Sequence, residues 1–398
     1  MKLSSPTKNH KALSDDMTRQ ATVACLKEHL ELDIQGTKAT TEMALDIMMH
    51  AASVGQSIEA SCAELESADS NTIRDYLNQA FRAETLGNLE AQVNAALAHE
   101  LPKKVFVRAQ ELAIDLHDQP FYGKDEQLLA YACRGQAKAG TTYFYRIASS
   151  YLMLQGVRVT LGVVFVHSGM SLVEVVTALL EQVKTQGLRL RCLYLDKGFA
   201  SNPIYQYLLD QHLPAMIPCP IRGKPEGQGT RALCKGRKSY LSEHNFHSKE
   251  HGDCTVPVAV VRCYKKTGKR GQAKKLKGSW CLYVLINLEL QPEQCHGRYR
   301  RRFGIESSYR LMRQLRIRSN SRNPAMRFLY MALGLILVNV WRWLKFRFTQ
   351  LPRRGRAGRV LDEPVFRLKR FASFLRHAVE RRYPLCCAII AAVSPLQD

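Results

Sequence analysis

The pattern that most constrains the fold lies between residues 105 and 217, where strand-like and helix-like segments follow one another in a defined order. Runs of β-branched and aromatic residues predict the strands, and apolar residues at a helical period predict the helices. From residue 111 the order is three strands, a helix, a strand, a helix and a strand, which predicts an α/β fold. The predicted strands are 105–107, 111–115, 141–154, 157–166, 188–196 and 215–217, with Gln155-Gly156 as a hairpin turn, and the predicted helices are 171–186 and 201–212.

Residues 1–104 show helical periods and no convincing strand, which predicts an all-α N-terminal region. Within it, predicted helices at 57–66 and 71–81 are joined by a turn of about four residues that offers capping side chains. This arrangement is typical of a helix-turn-helix, so we expect DNA binding here. A plain interaction bundle shows the same pattern, and because the exposed positions are not strongly basic, dimer contacts are an alternative role.

Residues 221–290 interrupt the α/β pattern and predict a β-rich insertion with strands at 256–264 and 279–287. The loop between these strands, 265–277, holds seven basic residues and no acid. That charge density favours contact with a phosphate backbone over a merely solvated hairpin tip. The loop residues that we assign to DNA binding are Lys265, Lys266, Lys269, Arg270, Lys274 and Lys275.

Several cysteines and histidines in and beside the insertion raise the question of zinc. They lack the paired C-x2-C spacing of a zinc knuckle, so this spacing does not favour a zinc site. The residues concerned are Cys219, Cys234, His244, His247, His251 and Cys254.

A second constraining stretch is 299–313, which predicts a helix with a charged face and an apolar face. Six arginines and a single acid occur between Arg298 and Arg313, whereas a solvated helix face usually alternates its charges. The pattern fits an acid that holds cations while its neighbours hold phosphates. At about 100° per residue, one arc of about 60° contains Tyr299, Arg302, Glu306 and Arg313, and the opposite side contains Leu311, Met312 and Leu315.

The spacing Tyr299-x2-Arg302-x3-Glu306-x6-Arg313 resembles the Y-x2-R-x3-E-x6-K signature of insertion-sequence DDE transposases, with arginine where lysine is more usual. The resemblance implies an RNase H-like mixed-sheet core whose first three strands are antiparallel and whose later strands lie beside the first. The insertion at 221–290 is similar to the β-rich insertion that the family often carries between its second and third acids. Around the core we predict an all-α N-terminal domain and C-terminal helices. The boundaries that we predict are 1–104, 105–220, 221–290, 291–350 and 351–398.

The same resemblance implies DNA contacts for Tyr299, Arg302 and Arg313. Arginine at position 313 keeps the charge of the usual lysine and adds bidentate reach. Trp280 begins a predicted strand beside the basic loop and is a candidate to stack on an unpaired base, as an insertion-domain tryptophan does in some relatives. A buried core tryptophan explains its position equally well.

Three acids from separate elements can hold the two divalent metal ions of phosphodiester chemistry, because Mg²⁺ prefers carboxylate oxygens. Asp196 ends a predicted strand and is followed by Lys197-Gly198-Phe199, which resembles the context of the second acid of the family. Asp115 directly follows an apolar strand and is our first acid, with Asp118 as the alternative. The resemblance makes Glu306 the third acid, with Mg²⁺ as the cofactor and Mn²⁺ as a possible substitute.

An excess of positive charge narrows the class of partner. The 398 residues include 58 lysines and arginines against 35 acids, a net charge of +23, and basic stretches recur along the chain. This balance favours a polyanion, and nucleic acid first, over a membrane surface. The 12 cysteines show no paired framework and the N-terminus lacks the apolar core of a signal peptide, so we expect a cytoplasmic protein. The resemblance to insertion-sequence transposases implies that it is prokaryotic and nucleoid-associated.

An apolar run at 328–341 is shorter than the roughly 20 residues that a membrane span needs, and it is closed by Arg327 and Arg342. We expect it to be a buried core helix and expect no membrane partner. The basic tail beyond it includes Arg353-Arg354-Gly355-Arg356 and Arg381-Arg382, which are candidates to bind DNA or a second subunit.

The function that we expect is a transposase that cuts at the inverted-repeat ends of its own element and joins the 3′ hydroxyls to target DNA. By analogy, a homodimer in the DNA complex would supply two active sites for two ends. The alternatives are a catalytically inactive DNA-binding descendant and a structure-specific nuclease of the same fold.

Overall fold

A computed structural model describes residues 12–101, 104–154, 157–267, 275–352, 359–361 and 364–388. The chain forms two compact units, which we call the sheet unit, Lys103–Tyr309, and the helical unit, Met1–Pro102 with Arg310–Asp398. The predicted turn at Gln155-Gly156, the middle of the basic loop and the tail segment Arg353-Arg354-Gly355-Arg356 lie outside the described residues.

The helices and strands have the following bounds. The helices are α1 Asp15–His29, α2 Thr41–Val54, α3 Ile58–Glu64, α4 Ser70–Ala80, α5 Leu86–Ala98, α6 Lys104–Val107, α7 Glu126–Leu129, α8 Leu172–Thr185, α9 Asn202–Asp210, α10 Pro292–Arg300, α11 Gly304–Met312, α12 Pro324–Phe348 and α13 Leu368–Glu380. The strands are β1 Gln110–Phe121, β2 Cys133–Lys138, β3 Thr141–Leu154, β4 Val157–Val166, β5 Leu190–Tyr194, β6 Ala215–Cys219, β7 Tyr240–Phe246, β8 Cys254–Thr267, β9 Lys275–Ile286, β10 Gln350–Pro352 and β11 Arg359–Leu361. Short 3₁₀ turns occur at Ala83–Thr85, Lys197–Phe199, Thr230–Leu233, Arg301–Phe303 and Arg313–Leu315.

One mixed sheet organises the sheet unit. Its strand order is β7-β8-β9-β6-β5-β1-β3, and β2 and β4 both pair with β3. β1 and β4 are each antiparallel to β3, whereas β5 is parallel to β1 and β6 is parallel to β5. This layout confirms the predicted RNase H-like core. The insertion strands extend the same sheet, because β9 pairs with β6.

Local sequence explains where the core helices begin. Ser171 and Glu174 form a reciprocal capping box at the start of α8, in which each side chain accepts a hydrogen bond from the other residue's backbone N–H. The apolar side of α8 is buried at Val175, Val176 and Leu179. The helix packs against β3 and β4 and so covers one face of the antiparallel strands.

The structure corrects several sequence predictions. Residues 105–107 belong to the short helix α6 and not to a strand, because four residues carry too little periodicity to separate the two states. Strands β2 and β7 were not predicted, since their polar, partly exposed sequences lack a hydrophobic run. Strand β1 also continues to Phe121, well beyond the predicted end at residue 115.

The stretch 299–313 is not one continuous helix. Helix α10 ends at Arg300, a 3₁₀ turn covers Arg301–Phe303, and α11 begins at Gly304. The 3₁₀ turn changes the rotation per residue, so the side chains before and after it do not share the single stripe that a regular helix would give. Tyr299 and Arg302 are accordingly buried and do not form an exposed charged front.

The helical unit contains the predicted apolar helix, which is longer than its apolar run. Helix α12 begins at Pro324 after an Asn323 cap, and the most apolar part of the helix is 94% buried. It is the one helix of the described residues that is long and apolar enough to span a membrane, and here it forms the core of the unit.

Other predictions for the helical unit have mixed outcomes. The helices of the predicted helix-turn-helix are confirmed as α3 and α4, with Asp69 capping the second helix. Arg381 pairs with Asp16 at 2.9 Å, and Arg382 pairs with acids of α2. This part of the basic tail is therefore engaged inside the helical unit.

Candidate active site

Two of the predicted acids lie side by side because their strands are parallel neighbours. In the β1–β5 register Ala113 is opposite Tyr194. Asp115 and Asp196 are each two residues further along, so both side chains belong to the same face at the same end of the pairing. Asp115 thus lies in the middle of β1 but is level with the end of β5, its parallel neighbour. This position explains why its sequence context resembled a strand end.

A single buried arginine joins the two carboxylates. Nη2 of Arg302 lies 3.2 Å from Oδ1 of Asp115 and 3.2 Å from Oδ1 of Asp196. The two oxygens are therefore at most about 6.4 Å apart, twice the shared distance. The side chain of Arg302 is 3% exposed, against 17% for Asp115 and 46% for Asp196. The acids form a pocket that already holds one positive charge.

The alternative first acid faces away from this pocket. Asp118 is an odd number of residues from Asp115, so the two side chains project from opposite faces of β1. On that other face Asp118 lies opposite Arg146 of β3 and accepts two hydrogen bonds from its guanidinium, at 2.7 and 3.1 Å. This bidentate pair gives Asp118 a structural partner, and it does not share Arg302 with Asp196.

Tyr299 supports the chain directly before Asp196. Its hydroxyl donates a hydrogen bond to the carbonyl of Leu195 at 3.0 Å, and the Arg302 guanidinium lies 5.6 Å from its ring centre. The residue is 5% exposed. The position of Tyr299 therefore fixes both the loop that carries Asp196 and the arginine that binds it.

Sequence reasoning missed a second support, which holds β1 at Asp115. The Tyr309 hydroxyl is 2.7 Å from Oγ of Ser149, which lies opposite Asp115 in the register, and 3.4 Å from the backbone carbonyl of Asp115. Its ring stacks on His117 at 4.8 Å. Burial raises the pKa of Tyr309 well above its ordinary value, so the hydroxyl stays protonated. The signal in the sequence was weak, since Tyr309 occupies one of the unspecified positions of the quoted signature.

Glu306 lies in α11, and its side chain is outside the described part of the structure. In the chain it falls between Arg302, which contacts both aspartates, and Tyr309, which contacts the backbone of Asp115. Its backbone is therefore tethered on both sides to residues that contact the acid pocket.

Of the remaining predicted DNA contacts, the structure describes the side chains of Trp280 and Arg313. Trp280 lies on β9, is half-buried, and carries the Arg262 guanidinium 4.6 Å from its ring centre. Arg313 is exposed in a 3₁₀ turn of the helical unit. The side chains of six basic-loop residues lie outside the described part, namely Lys265, Lys266, Lys269, Arg270, Lys274 and Lys275.

Comparison with known families decides the identity. A family model for the transposase DDE domain matches residues 111–340, more than half of the chain. The chain belongs to the DDE transposase family. No curated protein matches the transposase. The transposase is similar to a solved structure described as the cryo-EM structure of a piggyBac transposase synaptic complex with hairpin DNA. The TM-score is 0.50 and the sequence identity is 12%, and the match covers 92% of this chain and 72% of that chain. At this identity the likeness is one of fold, and it agrees with the RNase H-like core.

The family implies a divalent metal ion, and the residues of the pocket fit one. Two carboxylates converge on one cationic nitrogen, and carboxylate oxygens are the donors that hard divalent cations prefer. Membership of the family makes the transposase a DNA-cutting and DNA-joining enzyme, and the carboxylates of Asp115 and Asp196 are close enough to share one cation.

Proposed function

We propose that the transposase cleaves DNA at the inverted-repeat ends of its insertion element and transfers the 3′ hydroxyl ends to target DNA. Asp115, Asp196 and Glu306 would hold two Mg²⁺ ions, for which Mn²⁺ can substitute. The observation that carries the proposal is the convergence of Asp115 and Asp196 on Arg302 within one mixed-sheet core. When bound, the metal ions supply Lewis-acid stabilisation of the attacking and leaving oxygens.

The protein's own residues prepare this site. Tyr299 holds the loop before Asp196, and Tyr309 with Ser149 holds the backbone of Asp115, so both carboxylates are positioned before DNA binds. Arg302 offsets one of their two negative charges, and a buried guanidinium is also suited to a phosphate oxygen. We propose that Arg302 moves from the acids toward the DNA backbone when the cations bind.

The net charge of the chain and the similar solved structure both support DNA as the partner. The net charge of +23 favours a polyanion, and the similar solved structure is described as a complex with hairpin DNA. The basic loop of the β8–β9 hairpin, Trp280, Arg313 and the helix pair α3–α4 are proposed DNA contacts. A homodimer in the DNA complex, located in the cytoplasm with the nucleoid, would allow two ends to be processed together.

The experiment measures cleavage and strand transfer on a duplex that carries the terminal inverted repeat. Asp115→Asn, Asp196→Asn and Glu306→Gln should each lower the cleavage rate by at least about 100-fold, or roughly 2.7 kcal/mol in the barrier. Asp118→Asn is the matched control on the same strand and should cleave at close to the wild-type rate.

Three results would contradict the proposal. Wild-type protein that shifts end DNA in a gel but never nicks it with Mg²⁺ would be an inactive DNA-binding descendant. A preference for branched junctions over inverted-repeat ends would identify a structure-specific nuclease. Full activity in Glu306→Gln would remove the third acid from the mechanism.

A further inference from the structure

Two thiols and an imidazole gather at a place that the proposed DNA chemistry does not use. The donor atoms of Cys263, Cys281 and His296 all lie within 4.8 Å of one another. They come from β8, β9 and α10, three elements of the sheet unit. The groups of three candidate metal ligands found in the described part of the chain include none of the six cysteines and histidines that the sequence had singled out.

The register explains why the thiols meet. Val261 is opposite Cys281, and Cys263 is opposite Ser279, so the two cysteines are diagonal neighbours on the same face of the antiparallel pair. Helix α10 packs against β8 and brings His296 over this face. The opposite face of the hairpin carries Arg262 and Trp280, so that cation is directed away from the thiols.

We propose that Cys263, Cys281 and His296 bind a zinc-class transition metal ion, with water in the fourth position. Thiolate and imidazole donors select such ions over the hard Mg²⁺ that suits the acid pocket. Tetrahedral Zn²⁺ holds its donor atoms roughly 3.3–3.8 Å apart, given bond lengths of about 2.0–2.3 Å. Donors already within 4.8 Å reach this geometry through side-chain shifts of about 1 Å or less.

A neighbouring tyrosine supplies the outer support that metal-binding histidines usually have. The Tyr283 hydroxyl is 2.8 Å from Nδ1 of His296 and lies on the same strand face as Cys281. With Nδ1 in this contact, the imidazole would use Nε2 toward the metal ion. Cys281 and His296 are partly exposed, which gives an ion a route to the site, whereas Cys263 is 8% exposed and forms its buried side.

The position of this site gives it a structural role. His296 precedes Tyr299 by three residues on α10, and Tyr299 holds the carbonyl of Leu195 beside Asp196. A bound ion would tie the hairpin that bears the basic loop to the helix that supports the second acid. The ion would brace the site without touching the DNA phosphate.

The test uses the full-length protein, purified without chelator and analysed for metal content. We expect about one Zn²⁺ per chain, and when Co²⁺ is added after zinc removal, a thiolate-to-cobalt charge-transfer band should appear. Cys281→Ser and His296→Gln, the two partly exposed ligands, should each weaken Co²⁺ binding by at least about 100-fold.

Two controls separate this site from general effects and from the active site. Cys254→Ser removes a buried thiol from the same strand outside the group and should leave the metal content unchanged. Asp115→Asn should abolish DNA cleavage and still bind the ion. The failure of the proposed metal site can therefore be distinguished from the failure of the proposed DNA cleavage.

The proposal is overturned if wild-type protein carries no zinc and gives no thiolate band with Co²⁺. It is equally overturned if Cys281→Ser and His296→Gln both bind Co²⁺ as tightly as wild type. A Cys263–Cys281 disulfide in protein purified under mild reducing conditions would also exclude it, since both thiols would be consumed.

Discussion

Replacing Arg302 by leucine tests whether the two aspartates form a cation site. The change removes the guanidinium that lies 3.2 Å from both carboxylates and leaves two negative charges at most about 6.4 Å apart. At an effective dielectric constant of about 20, this repulsion is at least about 2.6 kcal/mol. Because Asp196 is 46% exposed, solvent screening reduces the net cost to roughly 1–3 kcal/mol.

Thermal unfolding in the presence of chelator and of Mg²⁺ is the appropriate assay. For a unit of about 200 residues, that cost lowers the unfolding midpoint by roughly 2–12 °C in chelator. Mg²⁺ at about 100 times its dissociation constant should then raise the free energy of unfolding of Arg302→Leu by about 2.7 kcal/mol. Wild-type protein should gain less from Mg²⁺, because Arg302 competes with the ion for the same oxygens.

Two further variants make this result specific. Arg301→Leu removes the neighbouring cation, which pairs with Glu111 at 3.4 Å and contacts neither aspartate, so its gain from Mg²⁺ should match the wild-type gain. Adding Asp115→Asn to Arg302→Leu removes one of the two charges, so stability in chelator should recover and the gain from Mg²⁺ should disappear. An equal Mg²⁺ gain in wild type and Arg302→Leu would refute the reasoning.

Three other changes test the supports of the fold and the site. Tyr299→Phe loses the hydrogen bond to Leu195, so the Mg²⁺ concentration for half-maximal cleavage should rise about tenfold, and an unchanged Mg²⁺ titration would contradict the positioning role. Asp118→Asn breaks the bidentate pair with Arg146 and should cost about 1 kcal/mol in denaturant unfolding while cleavage persists; lost cleavage would instead make Asp118 a ligand. Burial lowers the pKa of His50, so its stabilising contribution is complete above about pH 6.5 and is lost as the pH falls below that value. His50→Gln should therefore flatten the fall in unfolding midpoint between about pH 7 and 5, and an unchanged slope would show that His50 does not carry it.

The predictions from sequence succeeded where the physical signal is local. Apolar periodicity located the core helices, and β-branched runs located the long strands. Polar strands escaped notice, because β2 and β7 gain their stability from pairing with a neighbour and not from a hydrophobic run.

The candidate site shows a similar division. The spacing from Tyr299 to Arg313 and the context of Asp196 indicated a DDE transposase, and the family match agrees. The sequence also predicted that 299–313 is one helix with an exposed charged face. In the structure a 3₁₀ turn interrupts this stretch, and Arg302 is buried against the acids. A helical wheel cannot show this, because it assumes a constant rotation per residue.

The sequence by itself determined the order of elements, the resemblance to a family and a short set of candidate acids. Only the tertiary structure places Asp115, and not Asp118, beside Asp196, because this placement depends on strand pairing across about 80 residues of chain. Likewise, only the β8–β9 register and the packing of α10 bring together Cys263, Cys281 and His296. Contacts between residues far apart in the chain arise from pairing and packing, and no local pattern encodes them.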